Sequence, residues 1–211
     1  MGRPARLKHE IEHVREDILH AAGRAFSKQG FDSVTIHDIA KEAGYTTPSL
    51  YAYFKGKQEI IDALMVALTD EFQAAFAAEI PRGLSFQRKL AFLFERLAEI
   101  SDRWPEVPLL MLEVRRFGTA RFKPRGGRNA KQAMDAKLVD WLERNMTGPD
   151  DLGGRRPTEI AYIIRSLIIG SFLPNGVEAS PSSPRARFTL SARVCLYGLA
   201  GRGRARQPRS R

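Results

Sequence analysis

Residues 35–57 read TIHDIAKEAGYTTPSLYAYFKGK, and the fold turns on this stretch. Thr35 and Asp38 have the spacing of a capping box, in which a hydroxyl and a carboxylate serve N–H groups that a helix start leaves unpaired. Ile36, Ile39, Ala40 and Ala43 then form one apolar side. Gly44 ends the helix, because glycine accepts the left-handed backbone of a sharp turn. Thr46 or Thr47 caps a further helix. Pro48 is admitted to its first turn, where the N–H it lacks would have no partner. That helix is very short and stops near Lys55 and Gly56. Small Ala40 stands where the two helices cross, and Ile39 and Leu50 face a shared core. This helix–turn–helix geometry offers a second helix to the major groove of DNA.

At 100° per residue, Leu50 and Phe54 point inward and Pro48, Ser49 and Ala52 point outward, with Tyr51 and Tyr53 on the flanks. Small groups then face base edges while phenol hydroxyls reach phosphates on either side. The vocabulary for direct readout is thin: the hydroxyls of Thr47 and Ser49, with Pro48 and Ala52 for thymine methyls. Sequence preference is therefore expected to rest substantially on DNA shape and bridging water. Helix–glycine–helix joints also occur in many bundles, so the pattern alone leaves DNA binding an even choice.

Upstream, Ile11, Val14, Ile18, Leu19, Ala22, Ala25 and Phe26 recur at steps of three and four, an amphipathic helix stopped by Gly30. Residues 1–8 read as a short basic arm, with Gly2 and Pro4 opposing regular structure. Downstream, helical patterns cover residues 56–78, 85–100, 109–117, 130–146, 158–173 and 185–199, separated by loops rich in Pro, Gly and Ser. No stretch alternates with period two. The fold class expected is all-α, with about nine helices. The domains expected are a helix-turn-helix domain with its arm over residues 1–57, a helical ligand-binding and dimerisation domain over 58–201, and a disordered Arg-rich tail over 202–211.

The chain has 211 residues and a formal net charge of +10. A basic balance suits a polyanionic partner, but its location matters. Residues 202–211 hold five arginines and no acid, whereas residues 1–57 hold nine Lys or Arg against seven Asp or Glu. Half of the excess is thus a tail, and bulk charge is weak support for a DNA-binding face. The single cysteine, Cys195, excludes an intrachain disulfide and a cysteine-only zinc site, and suits a reducing cytoplasm. The charged N-terminus has no secretory character. The most apolar run, 160–173, is interrupted by Arg165 and Ser166 and falls short of the ~18 apolar residues of a membrane span.

Several motifs together carry a resemblance to a known family. They are Ile18-Leu19-His20-Ala21-Ala22, Phe26, Gly30-Phe31, the run from Thr35 to Ala40, Ala43-Gly44, and the run from Leu50 to Lys57. In order and spacing they resemble the TetR family of bacterial transcriptional regulators over about residues 14–64, while the later chain agrees in layout only. The resemblance implies a homodimer on a palindromic operator, a repressor released by a small-molecule effector. The residues themselves suggest no cofactor and no enzymatic activity. Carried over by position, Thr35 would contact phosphate, Thr46 would cap the third helix, and Thr47, Pro48 and Ser49 would approach bases. Tyr51 and Tyr53 would reach backbone or base edges, and Lys57 would hold phosphate at the start of the fourth helix. Ala52 departs from the pattern, standing where a larger aromatic or His is frequent. Tyr45 departs too, standing where a small aliphatic is usual.

Arg3 and Arg6 could enter a minor groove as arginine-bearing arms do, or remain a solvated basic terminus. His9 and His13 have a metal-compatible spacing but no third ligand nearby, so no metal site is expected. Phe94, Trp104, Met111, Phe117, Met134, Trp141 and Tyr162 could line an apolar ligand pocket, with Glu113 and Arg115 as polar groups near them; individually each of the seven reads better as core. Arg165 could meet a dimer partner or an acidic ligand, or snorkel to the surface. Helices 158–173 and 185–199, with their broad apolar surfaces, are the expected dimer interface. There is no nucleophile elbow, phosphate loop or metal motif. The rival reading is a ligand-binding helical protein that holds DNA through charge alone; an enzyme on a helical bundle is a more distant third.

Overall fold

All regular structure among the described residues is helical. The computed structural model describes residues 3–104, 130–172 and 183–199. The elements are α1 (Arg3–Gln29), α2 (Ile36–Ala43), α3 (Thr47–Tyr51), α4 (Lys57–Ala77), α5 (Phe86–Arg103), α6 (Ala130–Asn145), a single 3-10 turn (Pro149–Leu152), α7 (Pro157–Phe172) and α8 (Pro184–Leu199). The all-α class is as the sequence predicts. The expected helix at 109–117, the loop that follows it and the Arg-rich tail lie outside the described residues.

The chain forms two compact units. The first holds α1, α2, α3 and α4 as far as Glu71, together with Trp104; the second holds residues 72–103 and the described residues from 130 onward. The division in packing therefore falls inside α4.

One expectation needs correcting. The N-terminal arm is not irregular: α1 begins at Arg3, eight residues before the apolar stripe. Pro4 falls in the first turn, where its missing N–H costs nothing. Pairs one turn apart, Arg6 with Glu10 at 3.2 Å and Lys8 with Glu12 at 3.8 Å, line the exposed extension. Pairs of this kind add a few tenths of a kcal/mol each. The helix is thus continuous from solvent into the core, where Ile18, Ala21 and Ala22 are fully buried.

In the first unit, α1 is locked to α2 by charge as well as packing. Glu42 receives Arg24 Nε at 2.9 Å and Lys28 Nζ at 3.0 Å. These hydrogen bonds, Arg24's first and Lys28's second, hold the Glu42 carboxyl below the usual carboxylate range. A folded value below the unfolded one adds stability above the unfolded pKa of about 4.3. That stability disappears as pH falls through the folded value. Glu42→Gln is therefore expected to melt below the wild-type protein near about pH 7 and to approach it near about pH 3. An equal deficit at both pH values would show that the pairing adds no charge-dependent stability.

In the second unit the core is aromatic and aliphatic. Phe172 sits edge-on to Phe188 at 4.7 Å and to Phe72 at 5.4 Å between centroids, and Phe188 meets Phe94 at 6.4 Å. Cys195 is buried in α8, and burial pushes its thiol up to about 11, which leaves it protonated and unreactive. Arg165 neither snorkels nor waits for a partner. It is 8% exposed, and its Nε lies 2.5 Å from Asp135 Oδ1 of α6. The contact is an ion pair without hydrogen-bond geometry, and neither atom has another hydrogen-bond partner. No helix among the described residues is long and apolar enough to cross a membrane.

Candidate nucleic-acid interface

The helix–turn–helix is built by local chemistry at each joint. Thr35 caps α2: its Oγ1 accepts from the Asp38 N–H, while Asp38 Oδ2 accepts from the Thr35 N–H at 2.8 Å and from Thr35 Oγ1 at 2.6 Å. These bonds hold the Asp38 carboxyl below its ordinary range. At the other end Gly44 takes φ 76°, and the Tyr45 N–H returns to the Ala40 carbonyl at 2.9 Å, the closing bond of a Schellman turn. A Cβ at Gly44 would meet nothing within 4 Å. The left-handed backbone alone, rather than crowding, therefore asks for glycine. Thr46 caps α3 through its Oγ1, which accepts from the Ser49 N–H at 3.2 Å and lies 2.8 Å from Ser49 Oγ.

α3 has only five residues, too few to hold a helix by itself, since nucleation alone is unfavourable. Tertiary anchors hold it. Leu50 is 0% and Phe54 1% exposed, and burying two such side chains contributes about 1.5–3 kcal/mol each. With these inward, Pro48, Ser49, Tyr51 and Ala52 are exposed and Thr47 and Tyr53 half-buried. The inward and outward sides match the helical-wheel reading.

The structure also shows partners for Lys57 and for two residues, His37 and Arg15, that the sequence left unassigned. His37, exposed on α2, has its Nδ1 3.2 Å from Thr47 Oγ1, so one of the expected base-facing hydroxyls has a side-chain partner from the neighbouring helix. Lys57, at the first position of α4, donates its Nζ to the Asp32 carbonyl at 3.3 Å, beside the loop that leads into α2. Arg15 of α1 donates to the Tyr53 carbonyl. The signal for His37 was a polar residue in the first turn of α2, one position before the capping Asp38. Nothing local pointed to Arg15.

Thr35 departs from its expected role in one respect. Both of its donors, the N–H and the hydroxyl, are committed to Asp38, so neither is left for a phosphate. Arg6, with a largely exposed side chain, is paired to Glu10 on the helical extension; the side chain of Arg3 is outside what is described. His9 and His13 are exposed, and His13 Nδ1 lies 3.5 Å from Asp17.

The described residues among those proposed to line a pocket stand in different settings. Phe94 and Trp141 are buried in the second unit, Met134 is half-buried there, and Tyr162 is 63% exposed. Tyr162 stands outside because the buried side of α7 is taken by Ile160, Ile164 and Ile168. Trp104 belongs to the first unit, stacked on His20 of α1 with centroids 3.8 Å apart. Met111, Glu113 and Phe117 lie outside the described residues.

A capped α2, a glycine turn and a short α3 anchored by two buried residues make a helix–turn–helix. Residues 18–64 match the family model described as bacterial regulatory proteins, tetR family. Over 63 residues the chain is 41% identical to the HTH-type transcriptional regulator TtgR of Pseudomonas putida, covering 30% of each chain. It is 27% identical over 129 residues to the HTH-type transcriptional repressor KstR2 of Mycobacterium tuberculosis, covering 60% of this chain and 64% of the relative. The solved structure of the ketosteroid transcriptional regulator KstR2 of Mycobacterium tuberculosis superposes with a TM-score of 0.66 at 21% identity, covering 88% of this chain and 94% of that one. At that identity the likeness speaks for the fold. The likeness to the tetR family is thus carried by residues 18–64, the helix–turn–helix region. The first relatives are matched over about a third of their length.

Proposed function

We propose that this protein is a sequence-specific transcriptional regulator that binds a palindromic operator as a homodimer and represses until a small-molecule effector releases it. The observation that carries the reading is α3: a helix too short to stand alone, anchored by Leu50 and Phe54, with Pro48, Ser49 and Ala52 exposed on its outer side. Thr47, Pro48 and Ser49 approach bases, while Tyr51 and Tyr53 reach backbone. The committed donors of Thr35 pass its phosphate contact to the unpaired N–H groups of the first turn of α2, a natural anion site at a helix start. Lys57 adds a cation beside them. Arg6, exposed near the start of α1, adds a further cation, and Arg3 is taken as a DNA contact from the same basic start of the chain. The work of such a regulator places it with the chromosome, in the cytoplasm.

The dimer is supported by the outer faces of α7 and α8. Leu190, Val194 and Tyr197 recur at i, i+4 and i+7 on α8 and are 61%, 52% and 72% exposed; Tyr162 and Ile163 of α7 are 63% and 45% exposed. A dimer that buries this face sets two recognition helices about one DNA turn apart, roughly 34–36 Å. An effector held by the second unit would act through α4, whose chain runs from one unit into the other, and must bind the DNA-competent and released states unequally.

The test is selection of bound sequences from a random DNA pool at physiological salt. One enriched palindrome is the expected result. Binding without preference that vanishes as salt rises would sink the reading and leave a basic protein bound by charge alone. On the selected operator, Lys57→Ala should reduce the slope of log affinity against log salt by about one, with little change in base preference.

A further inference from the structure

The outer face of α3 can read DNA only if α3 is aimed, and its five residues cannot aim themselves. Leu50 and Phe54 anchor one side of α3. The chain that leaves it, Ala52 to Phe54, folds back through the Phe54 N–H to the Leu50 carbonyl at 3.0 Å. That bond leaves the Tyr53 carbonyl pointing away from the turn, where Arg15 of α1 receives it. The Arg15 guanidinium donates from its Nη1 to this carbonyl. The same guanidinium lies over the Phe54 ring, 4.0 Å from its centroid. Arg15 is half-buried, and none of the ion pairs of the described residues involves it. One side chain thus makes two contacts 38 and 39 residues away in sequence, a charge-assisted hydrogen bond and a cation–π stack.

We propose that Arg15 is a positioning residue for DNA reading: it fixes the exit of α3 against α1 and so sets the direction in which Thr47, Pro48, Ser49 and Ala52 face the groove. This rests on the DNA-reading role proposed above. Arginine suits the task because its flat guanidinium can stack on a ring while an edge N–H reaches a carbonyl. A lysine ammonium is a point charge and cannot do both. Arg15 acts from the inner side of the recognition helix, so its effect falls on discrimination between sequences and leaves the count of phosphates neutralised unchanged.

The experiment compares wild type, Arg15→Gln and Arg15→Lys on the selected palindrome and on a scrambled duplex, across a salt series. Circular dichroism and melting temperature are followed in parallel. Arg15→Gln is expected to lose roughly tenfold in affinity for the palindrome, the scale of a lost charge-assisted hydrogen bond. Scrambled-duplex binding and the salt slope should stay as in wild type. Arg15→Lys should fall between the two. Wild-type discrimination in Arg15→Gln would overturn the role. So would equal weakening on both duplexes with the slope reduced by about one, which would make Arg15 a phosphate contact itself. Should Arg15→Gln fail to fold, Arg15→Lys decides: reduced discrimination at an unchanged melting temperature supports the role, and full discrimination overturns it. A wild-type protein without sequence preference would instead defeat the DNA-reading proposal.

Discussion

Leu190→Glu is expected to convert a dimer into folded monomers and to weaken operator binding by about a hundredfold or more. The side chain is 61% exposed in the single chain, in line with Val194 and Tyr197 along α8. A carboxylate there costs the isolated chain little, because it remains in water. In a dimer that covers the stripe it would be buried without a partner, which costs several kcal/mol per ion. Operator affinity suffers more than the interface alone suggests. Linking two reading domains makes the second contact intramolecular, an advantage of roughly 10²–10⁴ that a monomer forfeits. Sedimentation velocity would give the mass and a binding titration the affinity. A dimer that persists in Leu190→Glu, and equally in Tyr162→Glu, would place the interface elsewhere.

The second large effect is expected at the Arg165–Asp135 pair. Arg165 is nearly enclosed, and the Asp135 side chain is 34% exposed. Asp135→Ala would leave the guanidinium buried and unpaired. Removing one partner of a buried pair costs about 3–5 kcal/mol, and the partial exposure of Asp135 puts the expectation near about 3. Replacing both by apolar groups, Arg165→Leu with Asp135→Leu, should recover most of the loss, because a buried ion pair is often no more stable than a packed apolar contact. Urea midpoints at one fixed protein concentration would measure the cycle, since dimerisation makes stability depend on concentration. A loss below about 1 kcal/mol in Asp135→Ala would mean that water reaches Arg165 and replaces the carboxylate. The pair also bears on ligand binding. With Asp135 in place, an anionic effector would have to displace a carboxylate to reach Arg165.

Much of the DNA-reading domain was legible in the sequence because its signals are short in range. A capping box spans four residues, a glycine turn spans two or three, and the inward pair Leu50 and Phe54 is one helical turn apart. Each can be read without knowing where the rest of the chain goes. The apolar stripe of α1 and the boundaries of α4 to α8 followed from the same periodicity, to within a few residues. The start of α1 was misread because Gly2 and Pro4 resemble an irregular arm. Proline in a first turn opposes nothing, and the acid–base pairs that follow it favour the helix.

The second unit was less legible. Aromatic residues at helical spacing serve a core and a pocket equally well, and composition does not separate the two. Phe94 and Trp141 became core, Trp104 stacked on His20 in the other unit, and Tyr162 went to the outside. Which of two faces of an apolar helix is covered depends on the neighbour it meets. That neighbour is set by packing angles absent from any single segment.

The sequence by itself determined the helical class, the helix-turn-helix, its caps and the inward side of α3, because all of these depend on residues three or four positions apart. Only the tertiary structure decided that Arg15 holds the Tyr53 carbonyl, that His37 reaches Thr47, that Asp135 answers Arg165, and that Leu190, Val194 and Tyr197 stay open on α8. Those pairings join residues from different elements, or leave them apart. They exist only once the helices have taken their angles to one another.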